Sequence, residues 1–183
     1  MAPSTPADAA PVPQEDLVLS GRPAETVRHT PLVGEWRISI PAIGVDAPIV
    51  ALGLEPDGAM AAPDGPFEVG WYQHGPAPGE PGNVLMDGHV DWSDRQTGKP
   101  FTAVFWSLRN LGGGARVIIS DGSREWTYEV TERQRYRFDD PAGVSVLQPT
   151  DDARLTMITC GGTFNRETRN YDVREIVIAR LVS

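Results

Sequence analysis

Cysteine is almost missing from this chain. A single one, Cys160, occurs in 183 residues. No disulfide can therefore form within the chain, and cysteine usage says little about redox compartment. Lysine is just as scarce, since Lys99 is the only one. It stands directly before Pro100, and nothing around it supports a Schiff-base role. There are three histidines, His29, His74 and His89. The first lies in a proline-rich stretch and the second in a proline- and glycine-rich loop, so both read as solvated. One cysteine and one credible histidine fall short of the three or four ligands a zinc site needs. Neither a metal nor another cofactor is expected.

Long apolar runs are also lacking. No stretch approaches the roughly 20 apolar residues that a membrane-spanning helix requires. Nor does the N-terminus show the basic region and apolar core of a signal peptide. Positive charge is short, with 16 Lys and Arg against 25 Asp and Glu, a formal net charge of −9. Such a balance excludes a non-specific nucleic-acid binder, which needs a basic footprint. It equally argues against electrostatic attachment to anionic lipid.

Residues 1–33 are rich in proline and alanine, with Pro3, Pro6, Pro11, Pro13, Pro23 and Pro31. They show no periodic apolar positions and read as an extended or disordered linker. A single folded domain is expected over 34–183. Its apolar residues alternate in Trp36 to Ile40, Val45 to Val50 reads as the next strand, and Phe67 to Tyr72 is a short apolar and aromatic piece. Asn83 to Trp92 reads as one strand that delivers Gly88-His89 at its emerging end. Lys99 to Leu111 carries Phe101, Val104, Phe105, Leu108 and Leu111 at helical spacing, which predicts a short amphipathic helix. Ala115 to Ser120 and Arg124 to Val130 form a hairpin about Asp121-Gly122. Arg133 to Phe138 either extends that second strand or follows it, and Arg154 to Cys160 and Arg174 to Val182 supply the remaining strands. Many short strands with Gly/Pro turns point to a mainly β protein, a closed or nearly closed barrel.

The stretch Leu155-Thr156-Met157-Ile158-Thr159-Cys160-Gly161-Gly162 reads as a buried strand ending at the thiol. Two glycines then leave room beside it for something to approach. A lone cysteine so placed is a candidate nucleophile, and a small buried hydrophobe is the plainer alternative. His89 at another strand end supplies the general base and acid that a cysteine nucleophile needs. Attack on a carbonyl builds an oxyanion, which a guanidinium stabilises without proton transfer. Arg174, at the start of the last strand, is the first candidate for that role. Arg169, in the connecting loop with Arg166, is the second. Asp87 and Asp91 flank His89 at i−2 and i+2, so alternation would put both on the imidazole's face. Either would orient it, or be a surface carboxylate. Trp71 and Trp92 read as aromatic core, with a peptide groove as the alternative.

Together, Thr159-Cys160, Gly88-His89 and Arg174 resemble the sortase family, the cysteine transpeptidases of Gram-positive cell surfaces. The likeness runs from about Trp36 to Leu181. It includes Ile38-Ser39-Ile40-Pro41-Ala42-Ile43-Gly44-Val45-Asp46-Ala47-Pro48-Ile49 and Pro78-Gly79-Glu80-Pro81-Gly82-Asn83-Val84. Gly70-Trp71-Tyr72, Gly88-His89-Val90-Asp91 and Thr159-Cys160-Gly161-Gly162 most resemble class F, a branch common in actinobacteria.

The resemblance implies an eight-stranded β-barrel with one or two short helices and a two-step reaction. Cys160 would attack between Thr and Gly of an LPXTG-type sorting signal and form a thioacyl-enzyme. His89 would serve as acid and base, and Arg174 would bind the substrate backbone and oxyanion. Thr159 and Gly161 would lie against the substrate. An amine of a peptidoglycan cross-bridge, lipid II or pilin-type lysine would then take the acyl group. A thiol peptidase passing it to water is one alternative. A catalytically silent peptide-binding barrel is another, against which intact Cys160, His89 and Arg174 argue. The resemblance further implies a monomer on the extracytoplasmic face of the membrane. Tethering would be through an N-terminal helix this sequence does not carry, with residues 1–33 as the linker following it.

Overall fold

The computed structural model describes residues 34–56 and 58–183. The linker expected over 1–33, and His29 within it, lie outside them. Alternation in the first strand, β1 (Arg37–Ile40), is borne out: Ile38 and Ile40 are fully buried while Arg37 is exposed. Pro41 opens one turn of 3-10 helix, and Gly44 in the left-handed region (φ 68°) reverses the chain into β2 (Val45–Leu52). There follow β3 (Val69–Tyr72), β4 (Gly82–Asp87), β5 (Asp91–Ser93), β6 (Pro100–Thr102), β7 (Arg116–Ser120) and β8 (Glu125–Arg137). A five-residue helix α1 (Pro141–Ser145) precedes the long strands β9 (Ala153–Asn165) and β10 (Asn170–Leu181).

Eight strands close into a barrel in the order β1-β2-β3-β4-β9-β10-β8-β7. Closure removes the free edges that an open sheet would expose. Most neighbours are antiparallel, but β2 with β3 and β4 with β9 run parallel. The hairpin β5–β6 stands outside the barrel as its own two-stranded sheet. Inside, Trp71, Tyr128, Ile119, Met86, Leu155 and Met157 are fully buried. Two of these keep their polar ends satisfied. The Trp71 indole donates to Pro76 O at 3.0 Å, and the Tyr128 hydroxyl accepts from Gly79 N at 2.8 Å.

Two expectations require correction. Residues 99–111 are not an amphipathic helix. They form β6 and then a run of i→i−3 turns, with Trp106 N to Ala103 O, Leu108 N to Phe105 O and Leu111 N to Leu108 O each at 3.1 Å. Phe105, Leu108 and Leu111 are the buried residues, spaced by three, which matches 3-10 turns better than a 3.6-residue period. Phe101 and Trp106 stay largely exposed. The single strand expected over 83–92 is likewise broken into β4 and β5 by the bend at 88–90. Gly88 is packed so tightly that a Cβ there would lie 2.7 Å from Phe105 Cδ2. Beyond it, Phe105 N donates to His89 O (2.9 Å) and Ala103 N to Val90 O (3.1 Å), which draws the chain away from the barrel.

Candidate active site

Cys160 lies within β9, not at its end. The β10 ladder continues past it, through Val173↔Gly161 and Tyr171↔Phe164 to Asn170↔Asn165. What stops there is the other neighbour, because the last β4–β9 pair is Asp87↔Ile158. Cys160 therefore sits where β9 loses its β4 partner, and the gap exposes its side chain. The two glycines that follow answer to β10. A Cβ on Gly161 would approach Glu175 Cγ to 2.8 Å, and one on Gly162 (φ +78°) would reach Asp172 Oδ1 at 2.0 Å. They permit close strand packing; the space beside the thiol comes from the end of β4.

His89 enters that gap from the bend after β4. Gly88 N donates to Ile158 O at 3.2 Å, and Thr159 Oγ1 donates to Gly88 O at 2.7 Å. His89, the next residue, thus leaves β4 at the same end of the barrel at which Cys160 loses its β4 neighbour. Thr159 is itself buried with its hydroxyl turned to this bond. The imidazole is held from two directions. Nε2 bonds Pro63 O at 2.7 Å, and Trp92 packs edge-on at 4.7 Å between ring centroids. A carbonyl only accepts, so Nε2 is the nitrogen that donates here, and Nδ1 is the one turned away from this bond.

Arg174 is the direct cross-strand partner of Cys160. Opposed residues of an antiparallel pair project to the same face. Its guanidinium donates from Nη1 to Tyr171 O (3.2 Å) and Val173 O (3.1 Å), and from Nη2 to Asn170 Oδ1 (2.9 Å). Arg169 is placed elsewhere, exposed in the β9–β10 turn with a left-handed backbone (φ 54°), and Arg166 is exposed beside it. His74 is exposed in the loop before β4, and Trp71 is core.

Burial pushes the Cys160 thiol up, with the Asp91 and Asp87 carboxylates adding to the effect and Arg174 opposing it. These surroundings favour the protonated thiol over the thiolate. Asp87, at the end of β4, is pushed up to about 7 by its own burial, and its Oδ1 is buried without a hydrogen-bond partner. It faces Gly70 across the β3–β4 ladder, where a Cβ would lie 2.4 Å from that oxygen. Asp91 instead accepts a hydrogen bond from the Tyr171 hydroxyl. Alternation along a strand does not relate these two aspartates, because the strand ends between them. Tyr171 gave no signal in the sequence; only the pairing of distant strands brings it here.

An apolar cleft of about 490 Å³ runs up to Arg174. Ile158 and Ile176, themselves a cross-strand pair, form its floor, with Tyr136 and Phe138 on one side and Met60 on another. Val144 and Leu147, on α1 and the turn after it, make the remaining wall. That wall is pinned to the barrel by buried Asn83, whose Nδ2 donates to Val146 O (3.0 Å) and Gln148 O (3.1 Å). Asn83 Oδ1 accepts from Thr156 Oγ1 at 2.7 Å, and Arg154 Nη2 adds a bond to Val146 O at 3.0 Å.

Comparison with solved structures finds the same barrel in sortases. Sortase A of Listeria monocytogenes superposes with a TM-score of 0.60 at 20% identity, covering 82% of this chain and 88% of that one. A Clostridium perfringens sortase D5 transpeptidase gives 0.58 at 26% identity, covering 82% and 79%. A lid mutant of Corynebacterium diphtheriae sortase A gives 0.61 at 19%, covering 82% and 71%. A search among curated proteins found no match. The sortase domain family model matches residues 38–182, from the first barrel strand to the last. The chain therefore belongs to the sortase family of cysteine transpeptidases.

Proposed function

We propose that this chain is a class F sortase that cleaves an LPXTG-type signal between Thr and Gly and joins the acyl part to an amine. The observation that carries this reading is the in-register pairing of Cys160 with Arg174 at the end of an apolar cleft, with His89 leaving the neighbouring strand β4 at the same end. The cleft suits the apolar start of such a signal, with the threonyl carbonyl reaching Cys160 Sγ.

In the first step the thiol proton passes to His89 Nδ1 while Sγ bonds to the threonyl carbonyl carbon. Arg174 faces the oxyanion that forms. Collapse breaks the Thr–Gly C–N bond, His89 returns the proton to the departing glycyl amine, and a thioester remains on Cys160. The acceptor amine then gives its proton to His89 and attacks the thioester carbonyl, and the thiol leaves. The raised thiol accords with proton transfer at the moment of attack rather than a standing thiolate. Sortases work on Gram-positive cell surfaces. We place this chain there, acting on surface-protein signals, with a peptidoglycan cross-bridge, lipid II or pilin lysine as acceptor. Arg169 takes no part, and Thr159 and Gly161 serve by shaping the strand beneath the substrate.

Intact-mass spectrometry with an LPXTG peptide, with and without added amine, tests the reading. The expected result is a thioacyl adduct on the wild type, absent in Cys160→Ala, which amine converts to a peptide–amine product. Adduct in Cys160→Ala, or no adduct across a library of sorting peptides on protein whose thiol is alkylated freely, would overturn it.

A further inference from the structure

Past Asp87, no barrel strand pairs with the segment carrying His89. That segment is held by backbone bonds to Ile158, Phe105 and Ala103, by the Thr159 hydroxyl on Gly88 O and His89 Nε2 on Pro63 O, and by one further side-chain contact that reaches to β10. The Tyr171 hydroxyl donates to Asp91 Oδ2. Asp91 is two residues beyond His89, at the start of β5, and Tyr171 lies on β10, three residues before Arg174. In the barrel, strand β9, with Cys160, lies between β10 and β4, the strand from which the His89 segment departs. The hydrogen bond therefore spans the mouth of the site from the histidine side to the arginine side.

Tyr171 meets both halves of the site. Its carbonyl accepts from Arg174 Nη1 while its hydroxyl holds Asp91. Its position is set by the irregularity in the β9–β10 ladder between Tyr171 and Val173, and by Phe164, whose ring packs at 5.1 Å. The phenol is pushed well above its ordinary range by burial and by the neighbouring Asp91, so it stays a donor at any working pH. The pair also lies on the far side of Cys160 from the apolar cleft, because Tyr171 and Phe164 continue the hairpin away from Ile158 and Ile176. A carboxylate left loose here would face the thiol, and its charge opposes ionisation of the sulfur.

We propose that Tyr171 is a positioning residue, which through Asp91 clamps the His89 segment to the Arg174 strand across Cys160. The inference rests on the transpeptidase reading of those three residues and assigns two more to the same machinery. The bond ties two groups that must stay in register through both proton transfers, where displacement of about 1 Å costs up to about a hundredfold in rate.

Tyr171→Phe removes only the hydroxyl, and Asp91→Asn removes the charge while keeping the shape. Each single variant is expected to lose about tenfold to a hundredfold in the rate of thioacyl formation. The double variant should be no slower than the worse single one, because the two act as a unit. Losses that multiply would overturn the clamp. A second readout needs no substrate: the pH dependence of iodoacetamide alkylation of Cys160. The charged and titratable groups about the sulfur are Arg174 and Tyr171 on β10, Asp87 on β4, Asp91 on β5 and His89 in the bend. Of these, Asp91→Asn deletes one negative charge, so the alkylation midpoint should move to lower pH. An unmoved midpoint would mean that Asp91 does not face the thiol, and would sink the proposal. Because alkylation reads the clamp without a sorting peptide, its failure is distinguishable from failure of the transpeptidase reading.

Discussion

Arg174 stands directly opposite Cys160 across the β9–β10 ladder, and the same two strands pair Ile176 with Ile158 one step along that face. The cationic and nucleophilic groups are thus presented side by side above an apolar floor. Their spacing is set by backbone hydrogen bonds instead of by flexible side chains, which is the kind of preorganisation that oxyanion stabilisation requires.

From this geometry, Arg174→Ala should lower peptide cleavage by about a hundredfold to a thousandfold, the usual loss for one oxyanion donor. Arg169→Ala should stay close to wild type, since that side chain is exposed in the turn. Steady-state cleavage of a quenched sorting peptide by the two variants measures the contrast. Equal losses would shift the role away from Arg174.

Asp87 makes stability depend on pH in an identifiable direction. Its carboxyl is raised in the folded state to about 7, so folding favours the protonated form. The stability this contributes is complete below the unfolded carboxylate range near pH 4 and is lost as pH rises through 7. Asp87→Asn should gain on wild type by roughly 2–3 kcal/mol between pH 5 and pH 8. Urea unfolding at the two pH values reads this difference, and parallel pH trends in both proteins would refute it.

Asn83 fastens the cleft wall, so Asn83→Ala should loosen residues 146–148 and strand the buried Thr156 hydroxyl. A loss of about 1–3 kcal/mol in stability is expected. KM for the sorting peptide should rise more than kcat falls, because the chemistry at Cys160 is not touched. Thermal melts combined with full saturation curves test both halves.

How far the chain was legible depended on the range of the interaction being read. Period-two alternation marked β1, because side-chain direction along a strand is a local property, and an apolar run marked the buried half of β9. Turn residues marked the β7–β8 hairpin for the same reason. Residues 99–111 misled because Phe105, Leu108 and Leu111 satisfy both a three-residue and a 3.6-residue spacing over so short a run. Pro100 pairing into β6 and the i→i−3 bonds decided between them. Gly161-Gly162 misled in another way: their lack of side chains answers to Glu175 and Asp172 on β10. No reading of β9 alone would reveal that.

What the sequence by itself determined is the barrel, its apolar interior and the candidate trio Cys160, His89 and Arg174, since these rest on local patterning and on side-chain chemistry. Tertiary structure decided where each of them stands. Cys160 loses its neighbour on one side because β4 stops two residues short of it, His89 is held by Pro63 and Trp92, and ladder register sets Arg174, not Arg169, opposite Cys160. The burial that raises Asp87 and the bond from Tyr171 to Asp91, 80 residues apart in the chain, arise only when distant segments pack together. Such contacts leave no periodic trace, because no local rule couples the residues that make them.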